Sequence, residues 1–175
     1  MAPMKIKELT TALFILLLVG GAAFLWLSPS GFQQAPAVTV KTLEGKEVSL
    51  ASLRGRPVLV TFWATTCPGC VKEMPHMIDL YRELGPQGLE IVAIAMSYDP
   101  PEQVHELVRQ KQLPYIVALD SDGSAAKAFG DVKLTPTNFL LDPQGNIVQQ
   151  KLGEIDMTQL RQRIIGMLAQ QGKKV

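Results

Sequence analysis

Two residues of this chain have the type and spacing to carry redox chemistry. Cys67 and Cys70 are its only cysteines, and they stand three positions apart in Trp63-Ala64-Thr65-Thr66-Cys67-Pro68-Gly69-Cys70. Sulfurs at that spacing can close a disulfide, and a pair that opens and closes one exchanges two electrons. The attacking form is the thiolate, so the surroundings must favour an anion. The flanking sequence supplies such surroundings. An apolar run, Val58-Leu59-Val60-Thr61-Phe62-Trp63, leads into the cysteines, and Val71, Met74, Met77, Ile78, Tyr81 and Leu84 recur at helical steps after them. The cysteines therefore fall where a strand turns into a helix. Unpaired N–H groups and the positive end of the helix dipole stabilise a negative sulfur there, Cys67 first.

Other uses of a close cysteine pair have to be weighed. An inert structural disulfide is one, although so short a loop constrains the unfolded chain little. A metal site is another; structural zinc takes four ligands, and only His76 and His105 could join the cysteines. A peroxidatic cysteine with an accessory thiol is the rival enzyme. A metal or haem chaperone using the dithiol is the non-enzymatic alternative, and it would co-purify with metal.

Composition bounds the rest. The chain has 175 residues, 47% hydrophobic and 19% charged, with a net charge of +1. That suits one domain plus an appendage, and the lack of a basic excess argues against a nucleic-acid partner. The appendage is N-terminal. No charge occurs from Leu9 to Val40, and Ala12 to Leu27 is almost purely apolar. Leu9 to Leu27 approaches the roughly 20 residues that cross a bilayer core. Trp26 suits an outer interface, and Lys5 and Lys7 precede the run with no basic residue following until Lys41. Residues 1–27 are thus expected to be a single-pass anchor, with a cleaved signal peptide as the alternative. Residues 28–37, with Pro29, Gly31 and Pro36, form a linker reaching about 30 Å at roughly 3.3 Å per residue, which would hold the dithiol near the outer membrane surface. The anchored protein would sit in a bacterial inner membrane with residues 38–175 outside the cytoplasm, where a cysteine pair meets oxidising conditions.

Within 38–175, Val38-Thr39-Val40 and Val48-Ser49-Leu50 flank Glu44-Gly45 and read as a hairpin. The strand Val58–Phe62 follows a turn at Arg54-Gly55-Arg56-Pro57. The helix from Cys67 to Leu84 contains Pro75, whose missing N–H breaks one ladder bond, and ends at Gly85-Pro86-Gln87-Gly88. Then come a strand over 89–95, a helix over 102–111 opened by Asp99-Pro100-Pro101, a strand over 115–119 and a short helix over 124–129. Thr135-Pro136-Thr137 leads into Asn138-Phe139-Leu140-Leu141, and a turn at Asp142-Pro143-Gln144-Gly145 joins it to Asn146-Ile147-Val148. Asp156 caps a last helix with Leu160, Ile164, Ile165 and Leu168 on one face.

Several of these features together resemble the thioredoxin superfamily: Phe62-Trp63-Ala64, the C-P-G-C of Cys67 to Cys70, Glu73-Met74-Pro75, and Thr135-Pro136 before a strand. The N-terminal hairpin is similar to that of its membrane-anchored TlpA/ResA-like branch, over roughly residues 34–170; the extra helix–strand unit between Cys70 and Pro136 resembles both that branch and the peroxiredoxins and does not separate them. The resemblance implies an α/β thioredoxin fold with an N-terminal hairpin and a central helix–strand insertion, preceded by one transmembrane helix. It implies a thiol–disulfide oxidoreductase in which Cys67 attacks, Cys70 resolves, and the Cys67–Cys70 disulfide is the redox centre without a further cofactor. It implies a cis Pro136 facing the dithiol, with Thr135 offering backbone groups to a substrate strand. The resemblance further implies reduction of chosen disulfides, such as those of apocytochromes in cytochrome c maturation or of copper-site proteins, with electrons drawn from a membrane thiol reductant.

Three further residues bear on the mechanism. Glu73 lies one turn beyond Cys70; from the residues alone a solvated helix glutamate is the simpler reading, and the resemblance, which implies a role in proton handling, brings the two level. Thr61 stands where ordinary thioredoxins carry a buried aspartate, so Glu73 or a water must serve instead. Trp63 is a candidate substrate contact beside Thr135 and Pro136, but is read first as core packing. Against a thiol peroxidase, Ala64 holds the place where peroxiredoxins carry a threonine. Pro68 directly after Cys67 occurs in oxidants as well as reductants, so the direction of electron flow rests on the resemblance.

Overall fold

The computed structural model describes residues 15–20 and 33–171. Within the expected anchor, residues 15–20 are helical; the rest of 1–27 lies outside the described residues. Among the described residues no helix is long and apolar enough to cross a membrane. The remainder is a seven-stranded mixed sheet in the order β2-β1-β5-β4-β3-β6-β7.

The sheet is built around two apolar strands. In β3 (Val58–Trp63) every residue is buried, and β4 (Glu90–Ala95) pairs with it in parallel. Strands buried on both faces read as continuous apolar runs, as these do. Their side chains alternate between two cores. Leu59 and Trp63 face one, with Ile91, Ala93 and Ala95; Val58, Val60 and Phe62 face the other, with Val92 and Ile94. The first core is covered by α1 (Pro68–Leu84), α2 (Pro101–Lys111) and α4 (Met157–Gln171), through Met74, Met77, Leu80, Val104, Leu160 and Ile164. The second holds Phe62, Phe129 and Phe139, with centroids 4.8–6.1 Å apart, beneath α3 (Ser124–Ala128). Edge-to-face contacts of this kind add to the burial itself.

The peripheral elements follow from local chemistry. Strands β1 (Thr39–Thr42) and β2 (Glu47–Ser49) form the expected hairpin, and Gly45 takes φ +79° in its turn. Strand β5 (Ile116–Leu119) is parallel to β4 and antiparallel to β1, so α2–β5 is the inserted helix–strand unit. Strand β6 (Thr137–Leu141) is antiparallel to β3 and to β7 (Ile147–Leu152). Asp156 caps α4 by accepting from the N–H groups of Thr158 and Gln159.

Three differences from the sequence reading have physical causes. Strand β7 runs to Leu152, past the expected Val148, because Gln150 and Lys151 lie exposed on an edge strand where polar side chains meet water. Ile165 is 44% exposed, since α4 turns its buried stripe through Leu160 and Ile164 and Ile165 falls off that face. The expected linker also shortens. Gln34 bridges to Asn146, the Ala35 N–H donates to the Gly145 carbonyl, the Ile147 N–H donates to the Gln33 carbonyl, and Arg54 donates to the Gln34 side chain. These contacts dock residues 33–35 at the β6–β7 turn. Because Leu141 pairs with Val58, that turn lies at the end of β3 far from the cysteines.

Candidate active site

The site forms where β3 ends and α1 begins. After Trp63 the chain turns through Ala64–Cys67, closed by the Cys67 N–H donating to the Ala64 carbonyl at 3.1 Å. A second tie holds the turn to the loop after β4: the Met96 N–H donates to the Trp63 carbonyl at 3.0 Å. A third comes from Asp99, whose two carboxyl oxygens accept from the Thr65 N–H at 2.6 Å and the Thr65 hydroxyl at 2.5 Å. Cys67 is the N-cap of α1 with extended backbone, and Pro68 takes the first helical position, where a missing N–H costs nothing.

Cys67 and Cys70 are joined in a disulfide. The Cys70 N–H points at Cys67 Sγ at 3.2 Å, so the first sulfur occupies the place a capping oxygen usually fills. When the disulfide is open, a Cys67 thiolate receives that N–H and the positive end of a 17-residue helix. Both residues are buried, Cys67 at 9% exposure and Cys70 at 4%.

The opposite wall is the loop ahead of β6. The Thr135–Pro136 peptide is cis, Pro136 is buried, Thr135 is half-buried and Leu134 is exposed. A Cβ built on Gly69 would sit 3.7 Å from Pro136 Cδ and 3.8 Å from Glu154 Cγ, ordinary contact distances that place the C-P-G-C turn beside both. Glu154 also accepts from Lys72 Nζ at 3.0 Å, which ties the loop before α4 to the first turns of α1.

Glu73 is buried, at 6% exposure, and is not a solvated helix residue. Its carboxyl oxygen accepts from the buried Ile155 N–H at 2.5 Å. Burial pushes its pKa above the ordinary 4.5; the Ile155 N–H pulls it down, Glu154 pushes it up, and His76 and Lys72 pull it down. Glu73, Cys70, Thr61, Trp63, Tyr115 and Pro136 line one cavity of about 20 Å³, room for a single water. Thr61 is thus where a proton-carrying group would have to be, and Glu73 reaches that space from the helix. Trp63, a candidate substrate contact in the sequence, is corrected to a core residue. It is buried at 3% exposure and lines the cavity from inside, with an indole N–H that has no partner among the described residues.

The structure therefore brings together Cys67, Cys70, Glu73, Thr135 and Pro136. His76 and His105 are exposed on α1 and α2. Sequence reasoning missed Asp99, Glu154 and Ile155. Asp99 stands 34 positions from Thr65, and its Asp-Pro-Pro context signals only a helix start.

Comparison with known proteins agrees with this geometry. The model of the AhpC/TSA family matches residues 32–150. The thiol–disulfide oxidoreductase ResA of Bacillus cereus is 34% identical over 168 residues, covering 91% of this chain and 96% of that protein. Among solved structures, a thiol:disulfide interchange protein of the thioredoxin family from Chlorobium tepidum is 26% identical. It superposes with a TM-score of 0.72 over 81% of this chain and 99% of that one. StoA from Bacillus subtilis is 28% identical with a TM-score of 0.62, over 73% and 98%. A helix-capping cysteine pair facing a cis-proline, on a thioredoxin-like sheet with these relatives, places the chain in the AhpC/TSA family of the thioredoxin superfamily, among the ResA-type thiol–disulfide oxidoreductases.

Proposed function

We propose that this protein reduces disulfides of other proteins outside the cytoplasm, from a membrane-anchored position. The observation that carries the reading is the pairing of a helix-capping Cys67 with a buried Glu73 beside Cys70. The reduced Cys67 thiolate attacks one sulfur of a substrate disulfide. The substrate S–S bond breaks, its other sulfur leaves as a thiolate, and a mixed disulfide with Cys67 forms. Cys70 then loses its proton, attacks Cys67 Sγ and releases the second substrate sulfur, which closes Cys67–Cys70. Glu73, directly or through a water in the cavity it shares with Cys70, accepts that proton. A carboxyl group whose pKa is raised by burial holds a proton more readily than an exposed one, which suits it to accept the Cys70 proton and give it back on reduction.

Thr135 offers backbone groups for a strand of the substrate, and exposed Leu134 beside it offers an apolar contact. The dithiol is the whole redox centre in this reading, with no further cofactor. A membrane thiol reductant restores it, exchanging two electrons through the same cysteines. The uncharged stretch Leu9–Val40 behind Lys5 and Lys7 supports an N-terminal anchor with the domain exported. Substrates of the apocytochrome kind fit such a tethered reductant.

The test is the reduction potential of the purified protein, equilibrated in glutathione or dithiothreitol buffers. A potential below about −220 mV supports a reductant, and one above about −150 mV reverses the direction.

A further inference from the structure

We propose that Asp99 is a positioning residue for the attack by Cys67, acting through Thr65. The observation is a two-point clamp on the turn that carries the nucleophile. Both Asp99 oxygens are used, one on the Thr65 N–H and one on its hydroxyl. The single hydroxyl proton goes to Asp99, because the alternative acceptor, Gln103 Oε1, lies at 3.4 Å against 2.5 Å. Asp99 is itself buried, at 4% exposure, and held by its own N–H donating to the Met96 carbonyl at 2.9 Å. Met96 in turn donates to Trp63. The loop after β4 therefore grips the turn at Trp63 and again at Thr65, two residues before the sulfur that reacts.

The geometry gives this clamp a chemical purpose. Thr65 is inside the Ala64–Cys67 turn, and the direction in which that turn delivers Cys67 decides whether its sulfur caps α1. That cap is the 3.2 Å contact from the Cys70 N–H. The cis-Pro136 loop flanks the C-P-G-C turn on another side, at Gly69. Loosening the clamp lets the Cys67 sulfur drift from the helix axis, and small misplacements of a reacting group are costly in rate.

The inference rests on Cys67 being the attacking thiol, so the experiment reads that separately. The reduced full-length protein in detergent is alkylated with iodoacetamide, well below each variant's melting midpoint, and the modified cysteine is identified by peptide mapping. Modification of Cys70 in place of Cys67 would overturn the assignment of the nucleophile. If Cys67 is the residue modified, Thr65→Ala, which keeps the backbone bond and loses the hydroxyl, slows its alkylation about 10-fold. Thr65→Ser restores the native rate, and Asp99→Ala slows it further. Native alkylation rates in Thr65→Ala, or a Thr65→Ser variant as slow as Thr65→Ala, would show that the clamp serves stability alone. Should Asp99→Ala fail to fold, the Thr65 pair decides the matter.

Discussion

Glu73 makes opposite predictions for two substitutions, and their pH dependence separates them. Glu73→Ala removes the acceptor of the buried Ile155 N–H. A buried donor left without a partner costs about 1–3 kcal/mol. For a domain of this size that lowers the melting midpoint by roughly 2–12 °C. Glu73→Gln keeps an oxygen in the same place and removes only the ionisation. Burial raises the folded-state pKa of Glu73 above 4.5, so between the two values the folded protein binds more protons than the unfolded chain. Stability therefore falls as pH rises through that window. Wild type and Glu73→Gln should melt together at pH values where both side chains are neutral. At neutral pH the glutamine variant should melt higher, and the deficit of the alanine variant should narrow. The assay is thermal unfolding of the oxidised proteins from acid to neutral pH, since the closed disulfide removes thiol titration from the comparison. The same glutamine variant should resolve mixed disulfides more slowly, having lost the group that takes the Cys70 proton. A glutamine variant that loses more stability at neutral pH than in acid would refute the reasoning, because the carboxylate would then be stabilising.

Cys67→Ser should abolish reduction of insulin disulfides, whereas Cys70→Ser should accumulate mixed disulfides visible on non-reducing gels; full activity of Cys70→Ser over many turnovers would exclude a resolving role. A reporter active only outside the cytoplasm, fused after Val175, should be active and the protein should sediment with membranes. Recovery of a soluble form beginning near residue 24 or 38 would indicate a cleaved signal peptide instead. Phe139→Ala removes the ring packed against both Phe62 and Phe129 and should cost about 3–5 kcal/mol in denaturant titration, while the folded fraction keeps its Cys67 reactivity.

What was legible in the sequence was whatever a short window encodes. The β3 run, the helical stripe after Cys70, the Glu44-Gly45 turn and the Asp156 cap each depend on neighbours within a few residues, and the structure has all four. Cys67 and Cys70 declared themselves because their chemistry depends on spacing along the chain. The cis Thr135–Pro136 peptide was reached only through resemblance, since an X-Pro pair alone says little about isomer. Where the window failed, the deciding contact came from far away. Helical spacing put Glu73 one turn past Cys70, but its surroundings depend on Ile155, 82 positions on, whose N–H it accepts. Trp63 read first as core and second as a contact, and the alternation of β3 places it on the face that α1 covers.

The same distinction separates the parts of the site by role. The residues that react lie within one helical turn of each other, so a local motif can carry them. The residues that set how they react come from elsewhere: Asp99 after β4, Pro136 before β6, Ile155 before α4. Each of these lies in a loop at the same end of the sheet, because β4 is parallel to β3, and β6 is antiparallel to it and therefore begins where β3 ends. A parallel or antiparallel choice made in the centre of the sheet thus decides which loops can touch the cysteines. The inserted α2–β5 unit does not come between β4 and β3, since β5 extends the sheet beyond β4. It does reach the site: Leu113 and Tyr115, in the segment joining α2 to β5, line the cavity that Thr61, Cys70 and Glu73 share. Differences in redox behaviour among proteins with a C-P-G-C turn should accordingly map to these three loops and to the segment ahead of β5.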